Sequence, residues 1–267
     1  MTKETSFSVQ IKQVLLAAFI FLLPALAIAQ KNTSFQDGEK LEFTVYYNMS
    51  FIWINSGNAE FTVAPQEVNG HNAYHITGLG NTAHSFEWFY KVKDRYETYI
   101  DKESLLPMHF VRNVNEGGMK FTNDVTFNHN KGQAVSDKKV YTIPKGTQDV
   151  LSAIYFARNI DYNKYKPGDK IPFTMFLDNE VYNLYIKYLG KEVITTKMGK
   201  FNAIKIAPLL IEGTIFKGGE KMTVFVSDDD NHLPLRVESP ILVGSVKVDL
   251  MDYSNLRNPF SSMISRK

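Results

Sequence analysis

The sequence predicts a mainly β protein in which two related antiparallel β units, forming a curved sheet or barrel, are joined by one α-helix. Three observations carry this expectation. Most of the chain falls into short blocks rich in Val, Ile, Thr, Tyr and Phe, bounded by Gly, Asn, Asp and Pro, which is the pattern of strands and turns. One central stretch, "GTQDVLSAIYFARN" at 146–159, has helical periodicity instead. Segments of the first half also recur in the second at a nearly constant spacing.

The elements follow in chain order. Residues 1–29 read as a signal peptide: Lys3 and Lys12 make a positive start, 14–28 is almost wholly apolar, and Ala27-Ile28-Ala29 puts small residues where a signal peptidase reads. The apolar run is shorter than the roughly 20 residues a spanning helix requires. The mature chain is therefore expected to start near Gln30 and to be exported, to the periplasm or outside the cell, with no stable membrane insertion after cleavage. The chain has no cysteine, so no lipid can be attached behind the cleavage site, and disulfides, thiolate metal sites and cysteine nucleophiles are excluded.

The first β unit is expected over 30–145, with strands at 41–47, 59–64, 73–77, 96–100, 109–114 and 121–127. A linking segment at 146–166 holds the helix. Thr147 suits its N-cap, Asp149 favours its positive end, Val150, Leu151, Ile154 and Tyr155 form one stripe, and Arg158 suits its C-terminal end. That stripe must be covered by a sheet face or a barrel mouth; a plain crossover is the simplest role, a plug or a lid the others. The second unit is expected over 167–253, with strands at 171–177, 182–189, 203–207, 221–226, 235–238 and 245–251. Residues 254–267, Ser-rich and basic at their end, read as a flexible tail.

The recurrence is specific. "GEKLEFTVYY" from Gly38 matches "GDKIPFTMFL" from Gly168, and "NAYHI" from Asn72 matches "NAIKI" from Asn202, both 130 positions apart. "DKESLLPMHFV" and "DDDNHLPLRVE" align Pro107 with Pro234 at 127. Each match alone is weak, but common order and near-common register point to duplication.

Gly38-Glu39 before an aromatic strand, "DRYETYID" at 94–101, Asp149 with "LSAIYFAR", and "SDDDNHLPLRVE" from Ser227 followed by Gly244 together resemble the exported bacterial family called domain of unknown function 3108. The likeness covers nearly all of the mature chain and implies compartment and fold, with no activity attached. The "LP" hairpins also look like those in the curved sheets of periplasmic lipoprotein carriers and related sigma-factor regulators, where an open half-barrel holds acyl chains or senses lipoprotein.

Candidate chemistry is thin. The formal charge of +2 falls to +1 without residues 1–29, which gives no basic face for a nucleic acid. Asp228, Asp229 and Asp230 lack the glycine and the distant glutamate of a calcium loop and read as a hairpin turn. His71 and His75 share a strand face but stand about 13 Å apart when extended, too far for one metal. Ser152 has no "GxSxG" elbow, and "GLG" at 78–80 has no following helix. No catalytic residue, metal ligand or cofactor is assigned. The aromatic runs "YYNMSFIWINSG" and "HSFEWFYKVKDRY" are the most substantial feature, because Trp and Tyr combine apolar area with a polar handle. Phe51, Phe61 and Phe89 are read as core, and Trp53, Trp88, Tyr90 and Tyr155 as ligand-binding candidates, with Trp53, Trp88 and Tyr155 expected to line a continuous internal cavity. The leading expectation is a non-catalytic periplasmic protein binding a hydrophobic or amphipathic ligand, a lipid or a glycan, in envelope maintenance. The alternatives are an interaction module for an envelope protein and a hydrolase of cell-wall polysaccharide.

Overall fold

The computed structural model describes residues 31–49, 52–212, 217–241 and 243–267, so the expected signal peptide lies outside the described residues. Among the described residues strand makes up 63% and helix 7%, which fixes the class as mainly β. The first strands are β1 (Lys40–Met49), β2 (Ile52–Val68), β3 (His71–Thr82), β4 (Lys93–Asp101), β5 (Pro107–Glu116), β6 (Met119–Asn128), β7 (Gln133–Ser136) and β8 (Lys139–Thr142). After α1 (Val150–Arg158) come β9 (Lys170–Leu177), β10 (Glu180–Thr195), β11 (Gly199–Pro208), β12 (Leu210–Glu212), β13 (Lys217–Gly219), β14 (Thr223–Ser227), β15 (Pro234–Pro240), β16 (Ser245–Ser254) and β17 (Met263–Arg266). Several hairpin tips put both turn residues in the left-handed region, among them Asp137-Lys138 and Asp178-Asn179, as two-residue loops between right-twisted strands demand.

Fifteen strands form one antiparallel sheet in the order β8-β7-β6-β5-β4-β3-β2-β1-β16-β15-β14-β11-β10-β9, with β17 added on β11, while β12 and β13 form a separate small hairpin. Joining the sheet's middle, β1 pairs with β16, so the first and last long strands of the chain are neighbours. The sheet is not closed by a ladder. Its end strands β8 and β9 are instead bridged by the segment before α1: Gln148 donates from its backbone to Thr174 O and accepts from Phe176 N, both at 2.8 Å, and so covers the open edge of β9. Tyr141 and Phe127 also pack on Phe176, with ring centroids 5.3 and 6.2 Å away, and Arg112 pairs with Asp178.

α1 fills the concavity that this curvature creates. Leu151 and Tyr155 enter a core with Phe35, Val63, Ile76, Ile100, Phe110 and Phe176, while Phe156 and Ala157 pack against a second cluster built on Ile171, Ile186, Tyr188, Ile204 and Ile206. A third cluster joins Leu41 and Phe43 of β1 to Phe201, Phe225 and Leu250, so both halves contribute to shared cores.

Two expectations are corrected. The N-cap of α1 is Asp149 and not Thr147: its carboxylate accepts from the backbone of Leu151 and Ser152, both at 2.8 Å, and Ser152 Oγ accepts from Asp149 N at 2.9 Å, a reciprocal capping box. Thr147 sits two residues earlier, where its hydroxyl donates to Pro144 O. The stretch 254–267 is not a loose tail. Its end pairs with β11 from Gly199 to Phe201, Phe260 stacks on Phe201 at 5.5 Å, and Ser262 is buried. The apolar pair Phe260 and Met263 offsets the ordering cost that its basic neighbours alone would not.

Candidate functional site

The sequence points to two places, and they do not coincide. The first is the interior beside Tyr155. This ring is 2% exposed, lies edge-on to Phe35 at 4.8 Å and has the Arg158 guanidinium 5.1 Å from its centroid. The space next to it, lined by Phe35, Ile100, Leu105, Phe156 and Asn159, amounts to about 10 Å³, room for a single water. Tyr155 is a core residue here, because α1 occupies the concavity that a ligand would need.

The charged groups around α1 are partnered within the fold, although the buried Gln148 Oε1 before the helix has no hydrogen-bond partner among the described residues. Arg158 grips both oxygens of Glu39 at 2.6 and 2.8 Å and donates to Ser34 O and Asn231 O, with each partner of the ion pair almost fully buried. His232 Nδ1 and Ser34 Oγ both donate to Arg158 O at 2.6 Å. This cluster fastens the N-terminal segment, the helix end and the β14–β15 turn together. Asp149 accepts a third bond from Thr98 Oγ1 at 2.6 Å, yet burial still pushes its carboxyl up to about 6. In the β14–β15 turn, Asp229 accepts from Ser227 Oγ, Asn231 N and Ser262 N, the local role expected of turn carboxylates.

The second place is an aromatic rim at one end of the sheet. Three tips of chain meet there: the end of the β1–β2 hairpin at Met49 and Ile52, the β3–β4 loop 83–92, and the β15–β16 turn. Tyr47 ties them together. Its hydroxyl donates to Val243 O at 3.1 Å, and its ring lies 5.8 and 5.7 Å from those of Phe86 and Phe89. The loop is anchored at its base by Ala83 N to Ser56 O and Gly117 N to Lys91 O, both 2.9 Å. Tyr90 rests on Gly117, where the left-handed backbone favours glycine and a Cβ would come within 2.7 Å of the ring.

Trp53 and Trp88 both belong to this rim, 39% and 83% exposed. Trp88 stands over Phe89 at 5.9 Å, and Trp53 carries the Lys247 ammonium at 4.3 Å from its ring. Trp53, Trp88 and Tyr90 are thus gathered at one end of the sheet, and Tyr155 is set apart inside it. Of the three phenylalanines read as core, Phe61 packs there as expected, Phe51 lies outside the described residues, and Phe89 is 47% exposed because its loop leaves the sheet. Sequence reasoning missed Ile52, Ile54 and Val243, which are exposed beside the tryptophans. It also missed Lys197 and Lys247, whose ammonium groups lie 4.5 and 5.4 Å from the Tyr46 centroid. Apolar turn-flanking residues were a visible signal for the first three, whereas the lysines reach the rim only through long-range pairing.

Below the rim, Asp94 accepts from Asn115 N at 2.8 Å and is hydrogen-bonded to the Glu116 carboxyl. Burial, then the bond to Asp94, raises the Glu116 carboxyl from its ordinary 4.5 to about 7. This pair sits under the loop that carries Trp88, since Val92 bridges to Glu116 and Tyr90 feels both carboxyls.

Comparison with known proteins bears on the fold. A family model described as "Protein of unknown function (DUF3108)" matches residues 42–251. Among solved structures, a β-barrel-like protein of domain of unknown function DUF1849 from Brucella abortus has a TM-score of 0.51 at 10% identity, covering 83% of this chain and 99% of that one. A protein described as a lipoprotein from Parabacteroides distasonis reaches 0.36 at 12% identity over 84% of this chain and 100% of its own, and an exported protein with a YmcC-like fold from Bacteroides fragilis reaches 0.32 at 12% over 83% and 98%. No curated protein matches. The first likeness agrees with a sheet curled nearly into a barrel.

Proposed function

Because the chain belongs to the DUF3108 family of proteins of unknown function, which brings no activity with it, we propose from its physical features that it is a non-catalytic, exported protein of envelope maintenance that holds a hydrophobic or amphipathic molecule. One observation carries this reading: both tryptophans of the chain stand exposed at one end of the sheet, Trp88 beside Phe89 on one side and Trp53 on the strand face opposite to that of Tyr47, with Ile52, Ile54 and Val243 also exposed at that end. An exposed cluster of this kind marks a binding surface far more often than scattered apolar residues do. We locate the binding at the rim, with Trp53, Trp88 and Tyr90 as its residues, and not beside Tyr155, where about 10 Å³ is free.

The reading also includes the expected pair of related β units. Gly38 N donates to Val63 O, Val63 N to Glu39 O and Glu39 N to Gln36 O; one unit later Gly168 N donates to Tyr188 O, Tyr188 N to Asp169 O and Asp169 N to Lys166 O. Both glycines have positive φ, and each opens a meander of three antiparallel strands, β1-β2-β3 and β9-β10-β11. These shared details support an ancestral duplication. They also explain why the two excursions from the sheet, the 83–92 loop and the β12–β13 hairpin, leave from matching places, after β3 and after β11.

Titration of the mature protein with a lysophosphatidylcholine monomer, followed by tryptophan emission, tests the reading. A blue shift that saturates and disappears in Trp88→Ser is expected. Unchanged emission, together with native mass spectrometry showing a bare chain after mild purification, refutes it.

A further inference from the structure

We infer that the rim is a docking surface for an anionic phospholipid bilayer, an inference that rests on the reading just given and names its partner. The end of the β1–β2 hairpin at Ile52–Ile54 carries apolar side chains on both faces. Alternation puts Ile52 and Ile54 on the side of Tyr47, while Trp53 points the opposite way, toward Tyr46 and Lys247. Ile52 is 70% exposed, Val243 66% and Trp88 83%. A hairpin apolar on both faces cannot be covered by one flat protein partner, which shields a single side. A bilayer interface surrounds it, and indole rings are favoured there because they keep one end apolar and the other wet.

The charge on this rim suits an anion. Lys197 and Lys247 share the Tyr46 ring, and Lys247 also covers Trp53, so one ammonium group stands against a tip residue and a second is held beside it through Tyr46. The nearby carboxylates are largely occupied by other cations. Asp249 is held by Arg236 at 2.6 and 2.8 Å, Glu238 lies 3.8 Å from the same guanidinium while facing Lys247 across the ladder, and Glu87 pairs with Lys91 at 3.0 Å. The outer parts of the rim are therefore apolar tips, and beside them sit the two lysines that a phosphate would reach. The tips are held at fixed spacing by the Tyr47 contacts, so insertion needs little ordering of the chain.

The test uses the mature chain with vesicles of phosphatidylcholine alone and with about a quarter phosphatidylglycerol, at roughly 0.1 M salt so that the Debye length is near 10 Å. Since both tryptophans lie on the rim, their emission reports docking directly. A blue shift and co-flotation with the anionic vesicles, much reduced on the neutral ones, are expected. Lys197→Gln and Lys247→Gln should each weaken partitioning about fivefold, and Trp88→Ser about tenfold or more, with unfolding midpoints unchanged for the exposed Trp88 variant. Equal binding to neutral vesicles, or binding to lysophosphatidylcholine monomers without binding to any vesicle, overturns the bilayer inference and leaves the amphipathic reading intact. Protection by free phosphate in place of vesicles overturns it too, as does docking to an envelope protein in the absence of lipid. Loss of both monomer and vesicle binding overturns both.

Discussion

Replacing Glu39 by alanine would leave the Arg158 guanidinium inside the protein without its counter-charge. In the folded protein the two side chains are 1% and 2% exposed, their contact is bidentate, and the other groups around the guanidinium include the neutral backbone carbonyls of Ser34 and Asn231 and the neutral Tyr155 side chain. These neutral groups cannot balance a full charge removed from water, so Glu39→Ala should cost about 3–5 kcal/mol. Over a domain of this size that corresponds to a fall of about 8–15 °C in the unfolding midpoint. The attraction within the pair does not itself stabilise the fold by that amount, because both ions lose their hydration. The double variant Glu39→Leu with Arg158→Met should therefore lie within about 2 kcal/mol of the parent, giving a large positive coupling in the double-mutant cycle. Urea unfolding of the mature protein followed by far-ultraviolet circular dichroism measures this, since the exposed tryptophans are poor reporters of the core. A loss below about 1 kcal/mol in Glu39→Ala, or additive single variants, would show that water reaches the pair and that the cluster does not fasten helix to sheet.

Three further outcomes follow from the same packing. Asp149→Ala removes the partner of Leu151 N, Ser152 N and Thr98 Oγ1 together and should cost about 2–3 kcal/mol by thermal denaturation, more than an exposed helix cap would. Glu116 holds its proton up to about pH 7 when folded against an ordinary 4.5, so the folded state binds more protons in between; the stability it contributes is full below pH 4.5 and is lost as pH rises through 7. Partial exposure limits that loss to about 1–2 kcal/mol, and Glu116→Gln should flatten the slope of midpoint against pH; an unchanged slope refutes a Glu116 carboxyl raised by burial. Ending the chain after Ser254 strips β17 and Phe260 from the third core cluster and should lower the midpoint by several degrees, whereas an unchanged midpoint would restore the picture of a free tail.

How far the site could be read from the chain differs from residue to residue. Trp53, Trp88 and Tyr90 were singled out in the sequence because large rings stood next to turn-like segments, and the fold places all three at one end of the sheet. Tyr155 differs from them in being buried in a core cluster. Its helical stripe required burial, but periodicity alone does not say whether the surface that buries it leaves a hollow or closes tightly. Asp149 and Ser152 lay at a spacing that could suggest catalysis, yet the same three-residue interval is that of a capping box.

The sequence by itself determined the mainly β class, the long strands, the position of the single helix among the described residues, and the family, because alternation, turn chemistry and capping are local and act within a few residues. The tertiary structure alone decided that β1 and β16 join, that the sheet curls until one extended segment bridges its edges, and that the chain end returns to β11. It also decided that Lys197 and Lys247 meet over Tyr46. Tyr46 and Lys247 are cross-strand partners from opposite ends of the chain, and such a register is set by the combined burial of whole strand faces, which no local window of residues contains.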